Sequence, residues 1–262
     1  MLRRSLALLP LLTLSAGILH AYDARNLVVS SKGTLPLILT VPHDGDNFLG
    51  LVPIRKKGAL VRDTGTRELA ERVASLLEAR IGKRPYLVIA LFSRKYLDVN
   101  RAEQDAMESG DALPAFKMYH DQIASYIYEV KAKFPEGALL VDVHGQADEP
   151  NTTLRGTRSG LTAKALLGRY GPAALQGEKS ILGALAAKGY AVYPPVGAES
   201  LREDPRFNGG YTVFNYGSQH PEGIDAIQLE FGKNHRASER LAEDVADALV
   251  TFMTQYGLLI KQ

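Results

Sequence analysis

Four short aliphatic runs, spaced by amphipathic segments of helical period, set the tightest limit on what this chain can fold into. They are Leu35–Val41, Tyr86–Phe92, Leu139–Val143 and Ile224–Phe231. Each is short and mostly apolar, as a strand buried on both faces is, with Thr40 and Asp142 as single polar residues and Asp225, Gln228 and Glu230 interrupting the last run. Between and after them come helical patterns. Arg67–Ile81 carries Leu69, Val73, Leu76 and Leu77 on one face, and Pro114–Lys133 carries Phe116, Tyr119, Ile123, Tyr126 and Val130. Gly177–Lys188 and the closing Glu239–Tyr256 also read as helices. Strands alternating with long helices predict an α/β three-layer sandwich around a mixed, mainly parallel sheet. Leu27–Ser31 reads as a short strand at a sheet edge, and Ala191–Tyr193 as a short strand. Asp44–Gly58, Asn151–Gly160 and Glu203–Gly217, rich in Gly, Pro, Asp and Asn, read as loops, and Asp63 or Thr64 is placed to cap the first helix.

In open α/β sheets ligands bind beyond the carboxyl ends of the strands. Three runs end in residues that can serve there: His43 after Val41-Pro42, His144 before Gly145, and Glu230 after Gln228-Leu229. Parallel strands bring these ends to one edge, where two imidazoles can meet at one ion. A third ligand has to be a carboxylate, with Asp63 and Asp46 as candidates. Glu230, among apolar neighbours, should have a raised pKa suited to proton transfer. Asp142 and Gln228 share a strand face with His144 and Glu230, and Asp142 could orient a ligand histidine. Arg101, in Asn100-Arg101, and Arg158 offer planar forks for a substrate carboxylate. Gly209-Gly210-Tyr211 reads as a pocket-lining loop. His120, His220 and His235 have no such context.

Composition narrows the class. The net charge of +2 over 262 residues argues against nucleic acid or an anionic membrane surface as partner. Cysteine is absent, so any metal site must draw on His, Asp and Glu. Arg3 and Arg4 followed by the apolar stretch Leu6–Leu19 and by Ala21 match a secretory signal peptide. The expected organisation is a signal peptide at 1–21 and one catalytic domain at 22–262, periplasmic or secreted. No linker or repeat argues for a second domain.

The motifs together resemble the N-formylglutamate amidohydrolase family, itself similar in fold to the zinc carboxypeptidases. The matching pieces are Val41-Pro42-His43-Asp44-Gly45, Asp63-Thr64-Gly65, Ser93-Arg94 with Asp98-Val99-Asn100-Arg101, Asp142-Val143-His144-Gly145, Gly209-Gly210-Tyr211 and Gln228-Leu229-Glu230. They occur in the family's order. The resemblance implies one zinc ion held by His43, Asp63 and His144, with Glu230 as the base that activates water. Asp98-Val99-Asn100-Arg101 is similar to the zinc-carboxypeptidase stretch whose Asn and Arg hold a terminal carboxylate; with Arg158 as the second fork read from the sequence, the residues expected around a small-molecule or peptide substrate bearing a carboxylate are Arg94, Asn100, Arg101, Arg158, Gly210 and Tyr211. The compact His-x-x-Glu of the carboxypeptidases is missing; only Asp46 stands at that spacing from His43. The expected activity is hydrolysis of an N-acyl amino acid or small peptide. The alternatives are a periplasmic metallocarboxypeptidase or cell-wall peptide amidase, and a non-catalytic binding protein for an anionic solute.

Overall fold

A computed structural model describes residues 26–259, so the expected signal peptide lies outside the described residues. Seven strands, β1 (Val28–Ser31), β2 (Leu37–Val41), β3 (Tyr86–Ala90), β4 (Leu139–Gln146), β5 (Thr152–Gly156), β6 (Ala191–Tyr193) and β7 (Asp225–Gly232), form one sheet in the order β1-β3-β2-β4-β7-β5-β6. The four predicted core strands lie adjacent and parallel as β3-β2-β4-β7. β1 joins one side antiparallel to β3; β5 joins the other antiparallel to β7 and carries β6 parallel to itself. This is the mixed, mainly parallel sheet of a three-layer α/β sandwich.

Strand alternation splits the core in two. Leu37, Leu39, Val41, Val141, Val143, Ile227 and Leu229 point to one layer, against helices Thr66–Ile81, Ile181–Ala186 and Leu241–Gln255. Ile38, Val88, Leu140 and Ala226 point to the other, where helix Leu113–Lys133 supplies Phe116, Tyr119, Ile123 and Val130. On this second face the pattern turns polar towards the carboxyl ends. Thr40, Asp142, His144, Gln228 and Glu230, all buried, replace the aliphatic residues. Among the described residues no helix is long and apolar enough to cross a membrane.

Three expectations from sequence need correction. Asn151–Gly160 is not all loop, because Thr152–Gly156 is β5. Its polar residues hid the strand: Thr153 and Arg155 are buried, and Arg155 meets the carboxylate of Glu203 at 2.8 Å. Glu203–Gly217 contains a short helix, Tyr211–Tyr216. The first helix is capped neither by Asp63 nor by Thr64. Its N-cap is Gly65, left-handed at φ 88°, and the free N–H of Arg67 donates to Asp44 Oδ2 at 2.7 Å. A distant carboxylate thus caps the helix, and Asp63 is free to face the site.

Candidate metal centre

His43 follows β2, His144 lies on β4 and Asp63 precedes the first helix; all three are buried. His43 Nδ1 and His144 Nδ1 lie 3.2 Å apart. Asp63 Oδ2 is 3.5 Å from the first and 3.3 Å from the second. Four ligands at zinc–nitrogen distances in a tetrahedron would stand about 3.3 Å apart. The three atoms therefore already form one face of such a tetrahedron, and the residues fit a divalent ion.

The far nitrogen of each ring fixes its tautomer. His43 Nε2 lies 2.7 Å from Asp98 Oδ1, and His144 Nε2 lies 2.8 Å from Asp142 Oδ2. A carboxylate can only accept, so each ring carries a proton on Nε2 and turns the Nδ1 lone pair to the common point. Both carboxylates are braced. Asp142 accepts from Thr40 Oγ1 at 2.6 Å, while Asp98 accepts from the Asn100 N–H at 3.0 Å and from Arg94 Nη2 at 3.0 Å. Register explains the meeting: Thr40 pairs with Asp142, Asp142 with Gln228, and His144 with Glu230, across three parallel strands.

The electrostatics ask for a cation. Burial alone would lower the pKa of His144, yet Asp142, Glu230 and Asp63 outweigh it and raise the value well above that of free imidazole. Burial would likewise raise Asp63, but hydrogen bonds to His144 and His43 hold it well below the usual carboxylate range. A divalent ion would satisfy this anionic surplus in place of a proton.

Glu230 sits just outside the triad, Oε1 3.9 Å from His144 Nδ1. Gln228 Nε2 donates to that oxygen at 2.8 Å, and Gln228 Oε1 accepts from the Gly210 N–H at 2.7 Å. Burial raises the Glu230 pKa above its ordinary value, against the opposing pull of His144.

The triad and Glu230 open into a cavity of about 670 Å³ whose wall is rich in arginine. Arg94 is committed to Asp98 and, at 3.4 Å, to Asp63. Arg101 is half-exposed on the wall, its Nε 3.9 Å from Asp98. Arg158 also lines the cavity. Asn100 is buried in the wall with its Oδ1 accepting from the Thr212 N–H at 2.8 Å. A Cβ at Gly210 would stand 2.2 Å from the Asn100 amide, so a larger residue there would displace that side chain. Tyr211 heads the short helix, its ring edge-on to His120. Asp46 is apart from the triad, exposed and paired with Arg62 at 2.7 Å. His120, His220 and His235 bond to Tyr216, Phe214 and Thr153 instead.

No protein-family model matches the sequence, and neither does any curated protein. Solved structures do match in shape. An N-formylglutamate amidohydrolase from Ralstonia eutropha JMP134 superposes with a TM-score of 0.57 at 15% identity, over 88% of this chain and 97% of the other. The chain shares that fold. A gene product of Agrobacterium tumefaciens matches equally well in shape, at 0.57 and 17% identity, over 88% of this chain and 94% of its own.

Two contributors carried no role in the sequence reading. Asp98 stood within a quoted motif but had no partner until the fold brought His43 to it. Arg236, in the short helix Lys233–Arg236 after β7, donates from Nε to Thr64 O at 3.0 Å, from Nη1 to Gln146 O at 3.2 Å, and from Nη1 to Phe231 O. Those carbonyls flank Asp63, His144 and Glu230, so one guanidinium ties together three segments of the site. Nothing local in the sequence marks it.

Proposed function

We propose that this protein is a metal-dependent amidohydrolase acting on the amide bond of an N-acyl amino acid or small peptide that bears a carboxylate. The observation that carries the reading is the convergence of His43 Nδ1, Asp63 Oδ2 and His144 Nδ1 beside a buried glutamate with a raised pKa. Zinc suits the donor set, and when bound by these three residues it would polarise the scissile carbonyl and acidify water. Glu230 takes the proton of the attacking water on its carboxylate as the oxygen bonds to the carbonyl carbon. It then delivers that proton to the leaving nitrogen as the C–N bond breaks, releasing an acid and an amine. Gln228 keeps the Glu230 carboxylate turned to the triad. Arg101 or Arg158 orients the substrate by its carboxylate, turning binding energy into alignment. The apolar stretch behind Arg3 and Arg4 supports export to the periplasm or beyond.

The cavity favours a second reading in which the substrate is a peptide, as for a carboxypeptidase or cell-wall peptide amidase. Its 670 Å³ lies in the range that drug-sized ligands fill and exceeds what an N-formyl amino acid needs.

The test is zinc content and turnover together. One zinc per chain, lost in His43→Ala and in His144→Ala, with release of amine from N-acyl amino acids or peptides, is the expected result. Glu230→Gln should keep zinc and lose about 10²- to 10⁴-fold in kcat, the range for a general acid–base group. Protein that takes up no zinc, or a Glu230→Gln variant with full turnover, would refute the mechanism and favour a binding protein.

A further inference from the structure

Six arginines line the cavity: Arg62, Arg94, Arg101, Arg158, Arg206 and Arg236. Five are spoken for. Arg62 pairs with Asp44 and Asp46, Arg94 with Asp63 and Asp98, and Arg206 with Asp204 and Glu149. Arg101 leans on Asp98, and Arg236 donates to three backbone carbonyls. The guanidinium of Arg158 has no hydrogen-bond or ion-pair partner among the described residues. It lies over the ring of Phe214, its Cζ 4.1 Å from the ring centroid. Stacking orients the fork and leaves all of its N–H edges free.

The backbone beneath Arg158 is unusual. Arg158 and Ser159 are consecutive non-glycine residues at positive φ, 48° and 56°. L-residues resist this region, so the surroundings must impose it. The surroundings are the buried carboxylate of Glu203. Its Oε1 accepts from Arg155 Nε at 2.8 Å and from Thr157 Oγ1 at 2.6 Å. Its Oε2 accepts from the N–H groups of Thr157 at 2.8 Å and Ser159 at 3.0 Å. The two N–H groups that share one oxygen flank Arg158, so the carboxylate folds the turn around it. The Arg158 N–H closes the turn on Asn208 O at 2.6 Å.

We propose that Arg158 is the anchor for the substrate's anionic group, and that Glu203 is a positioning residue that acts only by holding the turn which presents it. This rests on the hydrolase reading for the word substrate, and it chooses between the two arginines left open above. It prefers Arg158 to the Asn100-Arg101 pair: the Asn100 amide already serves Thr212 N–H and stands 3.1 Å from His144 Nε2, while the half-exposed Arg101 shares Asp98 through an Nε contact of 3.9 Å. The ligand class is a molecule with one group at the triad and a carboxylate at Arg158.

The test uses zinc-loaded protein and a ruler of unreactive probes, the linear α,ω-dicarboxylates from succinate to suberate, each against the monocarboxylate of the same length. Calorimetry reads the affinities. One dicarboxylate should bind at least ten-fold more tightly than its monocarboxylate. Arg158→Gln should abolish that advantage, and Glu203→Gln should reduce it several-fold with zinc content unchanged. Ser159→Gly, which adopts the same backbone freely, should keep it. If Glu203→Gln fails to fold, Phe214→Leu takes its place and should weaken the advantage several-fold. No advantage in the wild type, an advantage that survives Arg158→Gln, or one lost only in Arg101→Gln would overturn the assignment of the anchor. An advantage untouched by Glu203→Gln in folded protein, or by Phe214→Leu where Glu203→Gln does not fold, would overturn the positioning argument. No probe contains an amide bond, so the anchor can stand while the hydrolase reading fails, and the reverse.

Discussion

Replacing Asp98 by asparagine is the most searching perturbation of the metal centre, because it removes charge without removing volume. Asp98 is fully buried and both of its oxygens are used: Oδ1 by His43 Nε2 and the Asn100 N–H, Oδ2 by Arg94 and, at 3.4 Å, Arg55. An amide offers one oxygen and one NH₂. With the NH₂ towards the arginines, donor faces donor. With the NH₂ towards His43, the ring must accept at Nε2 and carry its proton on Nδ1, where the ion should sit. Either choice should cost zinc affinity about 10- to 100-fold, the usual effect of losing a carboxylate behind a ligand histidine. That is roughly 1.4 to 2.7 kcal/mol. The metal-free protein should also lose about 3 kcal/mol, the low end for breaking a buried pair, because Arg94 retains Asp63 and Arg55 retains the Arg94 carbonyl. Competition against a chromophoric chelator reads the first quantity, and urea unfolding of EDTA-treated protein reads the second. Asp142→Asn is the internal comparison. It should weaken zinc to a similar degree through His144, with a smaller loss of stability, since among the described residues Asp142 pairs with Thr40 and His144 and with no arginine. Zinc affinity within two-fold of the wild type in Asp98→Asn would refute the assignment of the Nε2–H tautomer.

The site's surroundings make three further outcomes testable. Arg236→Met should lower stability by about 2 kcal/mol and weaken zinc several-fold, by freeing the segments that carry Asp63, His144 and Glu230. Gly145→Ala would place a Cβ 2.5 Å from the same guanidinium, so the two changes together should destabilise by less than their sum in urea melts; strict additivity would argue against the clamp. His120, buried with Nε2 on Val99 O and Nδ1 beside Tyr216 Oη, has its pKa lowered by burial to about 4 from 6.5. The unfolded chain therefore takes up a proton between those values while the native state does not. Its contribution is fully present above pH 6.5 and falls with acid by up to about 1.4 kcal/mol per pH unit, about 3 kcal/mol in all by pH 4. Urea midpoints from pH 7.5 to 4.5 should fall less steeply in His120→Gln; equal slopes would contradict the burial of a neutral ring.

Much of the sheet was legible because strands buried on both faces are rich in apolar residues. The four aliphatic runs became the four adjacent parallel strands, and Leu27–Ser31 reads as an outer strand for the same reason that β1 is one: it is short and half-polar. β5 was not legible. Its buried Thr153 and Arg155 look like loop residues until Glu203, some fifty positions away, neutralises the arginine. The cap of the first helix was misplaced for a similar reason, because Asp44 reaches the Arg67 N–H from a different loop.

The sequence by itself determined the fold class, the ends of β2, β4 and β7 as the place for chemistry, and a His/carboxylate donor set in a chain without cysteine. These follow from local rules: strand period, short apolar-rich runs and the chemistry of single side chains. Only the tertiary structure decided between Asp63 and Asp46 as the carboxylate beside the two histidines, paired Asp98 with His43, closed the Arg236 clamp, and left the Arg158 guanidinium without a hydrogen-bond or ion-pair partner among the described residues. Each of those depends on distances between segments far apart in the chain, and such distances are set by strand order, register and the turns between, which no local pattern contains.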